Sequence, residues 1–350
     1  MNMSFSTAKF KYSKQCIIDA GETLAGKSTV LTDEYAWEVL DYWRSLHQTP
    51  LHYIAKNLTA HARRADKNSL VVRRLKRAPS IFSKLNRESD LTLRKMQDIG
   101  GCRAIVVDLA SVLKLKKSFQ ESRQNHKLER IKDYIAKPKA SGYRGIHLIY
   151  KFQSADPVNQ PYNGLRVEIQ LRSIQQHIWA TAVEIVGIIT KQSLKSSQGE
   201  ALWMDFFRHM SEGMACDELK QEIPLETLKE ISKLEKKLDV RKKLSAYSLA
   251  LQKVKGNEAN FFVLELNGFN LRIRGFKDEI DANTAYVEVE KQLLNQDGAD
   301  VVLVGAKSFH DLKRAYPNYF GDSIKFLRVL DNFLVRRERP NVLARLLRRL

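Results

Sequence analysis

The chain has 350 residues, 43% hydrophobic and 28% charged, which is the make-up of a globular protein with enough apolar mass for more than one domain. It carries 59 Lys and Arg against 40 Asp and Glu, a formal net charge of +19 that falls mostly in the first 220 residues. An excess of this size attracts polyanions through counterion release, although a basic chain need not bind nucleic acid. Cys16, Cys102 and Cys216 lie far apart with no C-x-x-C pair, which argues against a disulfide framework or a zinc site and for a reducing compartment. No apolar run approaches the roughly 18 residues that span a bilayer, and the first residues lack a signal-peptide core, so the expected location is the cytoplasm.

In chain order, residues 33–46 place Ala36, Val39, Leu40 and Trp43 at helical spacing behind Asp33 and Glu34, and predict a helix ended by Pro50. Residues 51–64 read as a second helix. His47, His52 and His61 fall in this stretch and read as surface or half-buried residues, because no His-Asp pair accompanies them. From about 70 to 175, β-rich runs at 102–107, 145–152 and 165–171 alternate with helical segments such as 110–123, which predicts a mixed sheet with helices. Ser173 opens a further helix through Trp179 and Glu184, and residues 191–200 read as a loop.

Residues 224–255 begin with Pro224 at a first helical position. They space Leu225, Leu228, Ile231, Leu234 and Leu238 by threes and fours before Gly256, which predicts a long helix or helix pair acting as a packed connector. Beyond it, 261–266, Asn267-Gly268 and 270–273 form a strong hairpin signal, followed by a helix at 278–296, a strand at 300–304 and a helix at 308–315. The tail carries Arg336, Arg337, Arg339, Arg345, Arg348 and Arg349 with Leu343, Leu346, Leu347 and Leu350 on one stripe, suited to nucleic acid, an anionic membrane, a partner groove or its own domain.

The densest chemistry lies between. The run DYIAKPKASGYRGIH, residues 133–147, combines a Pro-Lys-x-x-Gly turn with Lys132, Lys137, Lys139 and Arg144, and with Tyr143 as an exposed flat face for a base. It is answered by VEIQLR at 167–172, a strand with one carboxylate, Glu168. Upstream stand RLKRAPSIFSKL, with Arg74, Lys76, Ser80 and Lys84, and DIGGCR, with Asp98, Gly100, Gly101 and Arg103. Taken singly, each residue has a plain structural reading: Asp98 as the cap of a Gly-Gly turn, Glu168 as a strand carboxylate, Tyr143 as a turn aromatic. In register, the four blocks resemble the synthetase domain of the RelA/SpoT-type pyrophosphokinases, the alarmone synthetases, over about residues 30–215.

The resemblance implies an α+β fold, a mixed-sheet, nucleotidyltransferase-like core flanked by helices, and the hairpin, helix and strand pattern beyond Gly256 adds a small C-terminal α/β domain. The implied division is 1–215 synthetase domain, 216–256 helical connector and 257–350 regulatory or binding domain, so that a chain ending near Cys216 is expected to keep its ATP site. The implied activity is transfer of the β,γ-pyrophosphate of ATP to the 3′-hydroxyl of GDP or GTP, giving (p)ppGpp, with Mg²⁺ as cofactor. By position, Arg74, Lys76, Ser80 and Lys84 match the ATP side and Arg103 the arginine that packs on adenine. Asp98 and Glu168 match the catalytic, metal-binding carboxylates. Lys132, Lys139, Tyr143, His147, Gln170 and Arg172 match the acceptor side.

Two departures fall on that acceptor side. Gly145 stands where the family commonly has Ser, and Ile185-Val186 follow Glu184 where it often has a basic His-Lys pair. The alternative acceptor is therefore the 3′ end of tRNA, used by a toxic branch of the family whose C-terminal domain restrains it. The rival class is an inactive RNA-binding module. Expected partners are ATP and a guanine nucleotide, with tRNA, a protein effector at the C-terminal domain and a second copy of the chain as further candidates.

Overall fold

The computed structural model describes residues 11–122, 125–190, 200–251, 259–267, 270–293, 299–306, 308–320 and 323–347. Helices α1 (Lys14–Leu24), α2 (Asp33–Ser45) and α3 (Gln48–Ala65) come first, and the Thr32 side chain caps α2 by accepting from Tyr35 N. Pro50 does not end α2 as expected. It sits in the first turn of α3, where its missing N–H leaves no helical bond unmade. Strand β1 (Leu70–Leu75) leads into α4 (Ala78–Arg87), then β2 (Gly100–Val106), α5 (Leu109–Glu121), β3 (Lys127–Asp133), β4 (Ile146–Lys151), β5 (Arg166–Ser173), α6 (Ile174–Thr190) and α7 (Ala201–Glu218).

The connector is a helix pair, α8 (Leu225–Leu238) and α9 (Val240–Leu251), broken at Asp239 in the left-handed region with φ 53°. The C-terminal part follows the expected order: β6 (Phe261–Asn267), β7 (Asn270–Phe276), α10 (Glu279–Leu293), β8 (Ala299–Gly305), α11 (Phe309–Ala315) and α12 (Ile324–Leu347). The turn residues 268–269 and most of the expected 191–200 loop lie outside the described residues, as do the side chains of Arg339, Arg345, Arg348 and Arg349. The first two tail arginines have partners on other helices: the exposed Arg336 donates to Asp217 at 2.5 Å and the half-buried Arg337 to Ser232 Oγ at 2.6 Å.

Among the described residues, eight strands form one sheet in the order β3-β4-β5-β2-β1-β8-β6-β7. Of the strand pairs described, only β2–β5 is parallel, so the sheet is mixed and the fold is α+β. The C-terminal strands continue the sheet, because β8 lies antiparallel to β1 at Arg73 and Gly305. Side chains alternate between faces along each strand. Cys102, Ala104 and Val106 of β2 pack with Leu51, Leu58 and Phe119 from α3 and α5, whereas Ile105 faces the opposite core.

That opposite core runs through both halves of the chain. It joins Val72, Trp179, Val183, Trp203, Phe206 and Phe207 to Phe262, Leu264, Val302, Val304, Phe326 and Phe333. Ile185 and Val186, the pair that departs from the family's basic residues, are fully buried within it.

Candidate active site

The site grows from the β1–α4 connection and from the adjacent parallel strands β2 and β5. Register sets Gly101 opposite Glu168, and glycine there keeps the space beside the carboxylate clear of side chain. Asp98, just before β2, accepts from Lys76 Nζ at 2.7 Å and Lys84 Nζ at 2.9 Å. One cavity of about 380 Å³, counted out to its open mouth, is lined by Arg74, Lys76, Asp98, Gly101, Arg103, Glu168, Gln170 and Tyr316.

Charge in this cavity is organised. Burial alone would raise the Asp98 carboxyl, but Lys76 and Lys84 outweigh it and hold the group below the usual carboxylate range. Burial would likewise raise Glu168; His147, whose Nδ1 is 3.0 Å from Glu168 Oε1, and Gln170, whose amide donates to Oε2 at 2.8 Å, keep it ionised. His147 is pushed down by burial but raised overall by Tyr143 and Glu168. Burial and the neighbouring Arg172 bring Arg103 down to about 10.

The residues expected on the acceptor side form a chain of contacts behind Glu168. The Tyr143 hydroxyl lies 2.6 Å from His147 Nε2 and accepts from Arg172 Nη2 at 3.0 Å, while Arg172 also donates to Gln170 Oε1 at 3.2 Å. Lys139 Nζ lies 5.3 Å from the Tyr143 ring centroid. The sequence suggested an exposed Tyr143. Instead it is 3% exposed, packed edge-on against Tyr134 and Trp179, because the Gly142 turn folds back onto α7. Gly142 holds φ +85°, and a Cβ there would meet Ser211 Cβ at 2.9 Å. Gly145 holds φ +153°, and a Cβ there would lie 3.2 Å from the Tyr143 hydroxyl, so this backbone path favours the glycine over the family's serine.

The structure therefore joins Arg74, Lys76, Lys84, Asp98, Arg103, Lys139, Tyr143, His147, Glu168, Gln170 and Arg172 in one group of cavity and contacts. Ser80 lies one turn before Lys84 on α4, and Lys132 pairs in register with His147. Neither side chain hydrogen-bonds to the group among the described residues. The three N-terminal histidines have structural partners. His47 is buried with Nδ1 2.8 Å from Trp43 O and is pushed down to about 4 by burial, His52 lies 3.1 Å from Arg73 Nη1, and His61 lies 2.6 Å from Ser118 Oγ.

Sequence reasoning missed the C-terminal residues at the cavity. The Tyr316 ring lines it with the Arg103 guanidinium 5.9 Å from its centroid, and Arg77 donates to the Tyr319 hydroxyl at 3.0 Å. Buried His177 binds Arg314 O through Nε2 at 3.1 Å, and burial beside Arg103 pushes it down to about 3. The only sequence signal was a Tyr-Pro-Asn-Tyr turn after a short helix, which has no periodic meaning.

Residues 73–188 match the RelA_SpoT family, described as a region found in RelA / SpoT proteins. Two Bacillus subtilis proteins are similar over part of their length. GTP pyrophosphokinase YwaC is 34% identical over 118 residues, 31% of this chain and 52% of that protein. GTP pyrophosphokinase YjbM is 32% identical over 113 residues, 32% of this chain and 52% of that protein. The chain thus spans about half the length of the curated relatives it matches. A solved structure of small alarmone synthetase 1 from Bacillus subtilis, bound to its product pppGpp, overlays with TM-score 0.42 at 22% identity, covering 50% of this chain and 90% of that one. The carboxylates Asp98 and Glu168, with the cations around them, all fall inside the stretch that matches the region found in RelA / SpoT proteins, residues 73–188.

Proposed function

We propose that the chain is an ATP-dependent pyrophosphokinase that moves the β,γ-pyrophosphate of ATP to the 3′-hydroxyl of GDP or GTP, giving AMP and (p)ppGpp. The observation that carries this is one cavity in which Arg74, Lys76 and Arg103 face the carboxylates Asp98 and Glu168, with Lys84 bound to Asp98. The names of the two Bacillus subtilis relatives support the same reading.

The donor set fits Mg²⁺: two ionised carboxylates at one cavity are hard oxygen ligands, and this ion is commonly held by one or two carboxylates plus substrate phosphates. Asp98 and Glu168 would hold it, and when bound it neutralises charge on the transferred group. Arg74, Lys76 and Lys84 bind and orient the triphosphate. The acceptor oxygen bonds to the β-phosphorus as the bond to the α,β-bridging oxygen breaks, and AMP leaves with that oxygen. Glu168 accepts a hydrogen bond from the attacking hydroxyl and then its proton. A loose transition state demands little base strength, so a carboxylate held ionised by His147 and Gln170 suffices. Mixing the protein with ATP and GDP should give AMP and ppGpp one for one; ADP as the nucleotide product would identify an ordinary kinase instead.

On the acceptor side, the buried Tyr143 hydroxyl holds His147, which contacts Glu168, and accepts from Arg172. A hydrogen bond to a charged group is worth about 1.5–3 kcal/mol, so Tyr143→Phe is expected to raise the acceptor KM by about tenfold while ATP binding stays within a factor of about two. An equal loss of ATP affinity would place Tyr143 in the scaffold alone. The net charge of +19 favours a second acceptor, the 3′ end of tRNA. Its use should fall steeply as salt rises, unlike that of a mononucleotide.

We further infer that residues 257–350 restrain the site, since Tyr316 covers the Arg103 face that the family resemblance gives to adenine. A cation–π contact amounts to about 0.5–2 kcal/mol, so Tyr316→Ala should tighten ATP binding a few-fold. Unchanged or weaker binding, measured by calorimetry, would remove this role. No helix among the described residues is long and apolar enough to cross a membrane, and we place the reaction in the cytoplasm.

A further inference from the structure

Helix α4 carries Lys84 toward Asp98, yet nothing on α4 itself closes its N-terminus. The residue at the cap position, Arg77, makes no side-chain capping bond, and Pro79 in the first turn supplies no N–H. The missing acceptor comes from 212 residues further along. Glu290 of α10 is 1% exposed and its Oε1 accepts from Ala78 N at 2.7 Å. Its Oε2 receives Arg44 Nη1 at 2.6 Å, and Arg44, itself 2% exposed, also donates to the Tyr286 hydroxyl at 2.7 Å. The Tyr286 hydroxyl donates to Glu290 in turn.

We propose that Glu290 is a positioning residue for the ATP side of the site: its buried carboxylate, held by Arg44, caps α4 and so sets Lys84 against Asp98. This rests on the pyrophosphokinase reading. A carboxylate at a helix N-terminus satisfies an orphan N–H and meets the positive end of the helix dipole. A buried carboxylate is otherwise costly, and Arg44 offsets that cost only while both partners remain. The C-terminal part then has two distinct effects on one site: Tyr316 covers the Arg103 face, whereas Glu290 organises the phosphate side.

The test uses the whole chain with the paired replacement Arg44→Met with Glu290→Met, which removes both charges at similar volume and leaves no unpaired buried ion. It is expected to fold with a cooperative melt, while amide exchange across residues 78–87 speeds up about fivefold, the scale of a lost helix cap. The dissociation constant for a non-hydrolysable ATP analogue should rise by a similar factor. Glu290→Gln keeps an acceptor oxygen for Ala78 N–H, and with Arg44→Met in the same chain it should restore most of both values, a rescue that a purely packing role would not produce. Should the Met pair not fold, the Ala78 amide of the wild-type chain carries the test: protection like that of the α4 interior is expected, and exchange at the rate of an unbonded amide would overturn the proposal. Exchange and analogue binding equal to wild type in the folded Met pair would overturn the proposal. A wild-type chain that binds no ATP would remove the enzymatic reading, and the exchange rates would still report whether Glu290 caps α4.

Discussion

Glu168→Gln is expected to lower pyrophosphate transfer by roughly 10²-fold or more, the scale seen when a main electrostatic element of an active site is removed. The substitution keeps the shape of the side chain and one of its two acceptor oxygens but removes the negative charge that His147 and Gln170 hold in place. It also leaves the acceptor hydroxyl without a proton acceptor. Asp98→Asn should cost a comparable amount by a different route, because Lys76 and Lys84 lose the carboxylate that spaces them. Single-turnover kinetics with the melting temperature measured in parallel separates chemistry from folding. Near-normal turnover in a folded Glu168→Gln protein would show that the chemistry lies elsewhere.

The second large effect concerns the fold itself. A chain ending at residue 220 is expected to lose its cooperative transition. The covering segments contribute Phe262, Leu264, Val302, Val304, Phe326 and Phe333 to the core shared with α6 and α7. Their loss would uncover Val72, Val183, Val186, Trp203, Phe206, Phe207 and Met210, all at most 2% exposed, and would leave β1 as an open edge beside Arg74. Full burial of a large apolar side chain is worth about 1.5–3 kcal/mol, so even half of that over these residues rivals a typical net stability of about 5–15 kcal/mol. Aggregation or a non-cooperative melt is the expected outcome. A soluble fragment with a sharp transition and an intact ATP site would show instead that residues 1–220 stand alone, as the motif pattern by itself suggested.

Much of the site was readable in one dimension because its residues cluster in four short blocks whose spacing is fixed by neighbouring strands. Lys76 and Asp98 lie beside strand ends, and Arg103 and Glu168 within strands, where a Gly-Gly turn or a β-alternation marks the place. Tyr143 was singled out by its motif, but its buried environment was not legible. Its burial depends on α7, nearly 70 residues later, folding over the Gly142 turn. Strand β3 escaped notice because it is a charged sheet edge with little apolar alternation, and β1 because its arginines interrupt the pattern. Ile185 and Val186 registered as departures, but both lie in the core that the two halves of the chain share, which no local pattern shows. Glu290 and Tyr316 could not be read at all: a glutamate on an amphipathic helix looks solvated, and only the continuous sheet brings it to Ala78.

The central claim, that the Asp98–Glu168 cavity transfers pyrophosphate from ATP to a 3′-hydroxyl, is tested most directly by following label from β-labelled ATP into GDP, GTP and bulk tRNA offered together. The account predicts that label moves with both transferred phosphates onto a guanine nucleotide, that AMP appears in equal amount, and that Glu168→Gln abolishes both. Label confined to ADP, or found in no acceptor while the wild-type protein binds ATP, would contradict it.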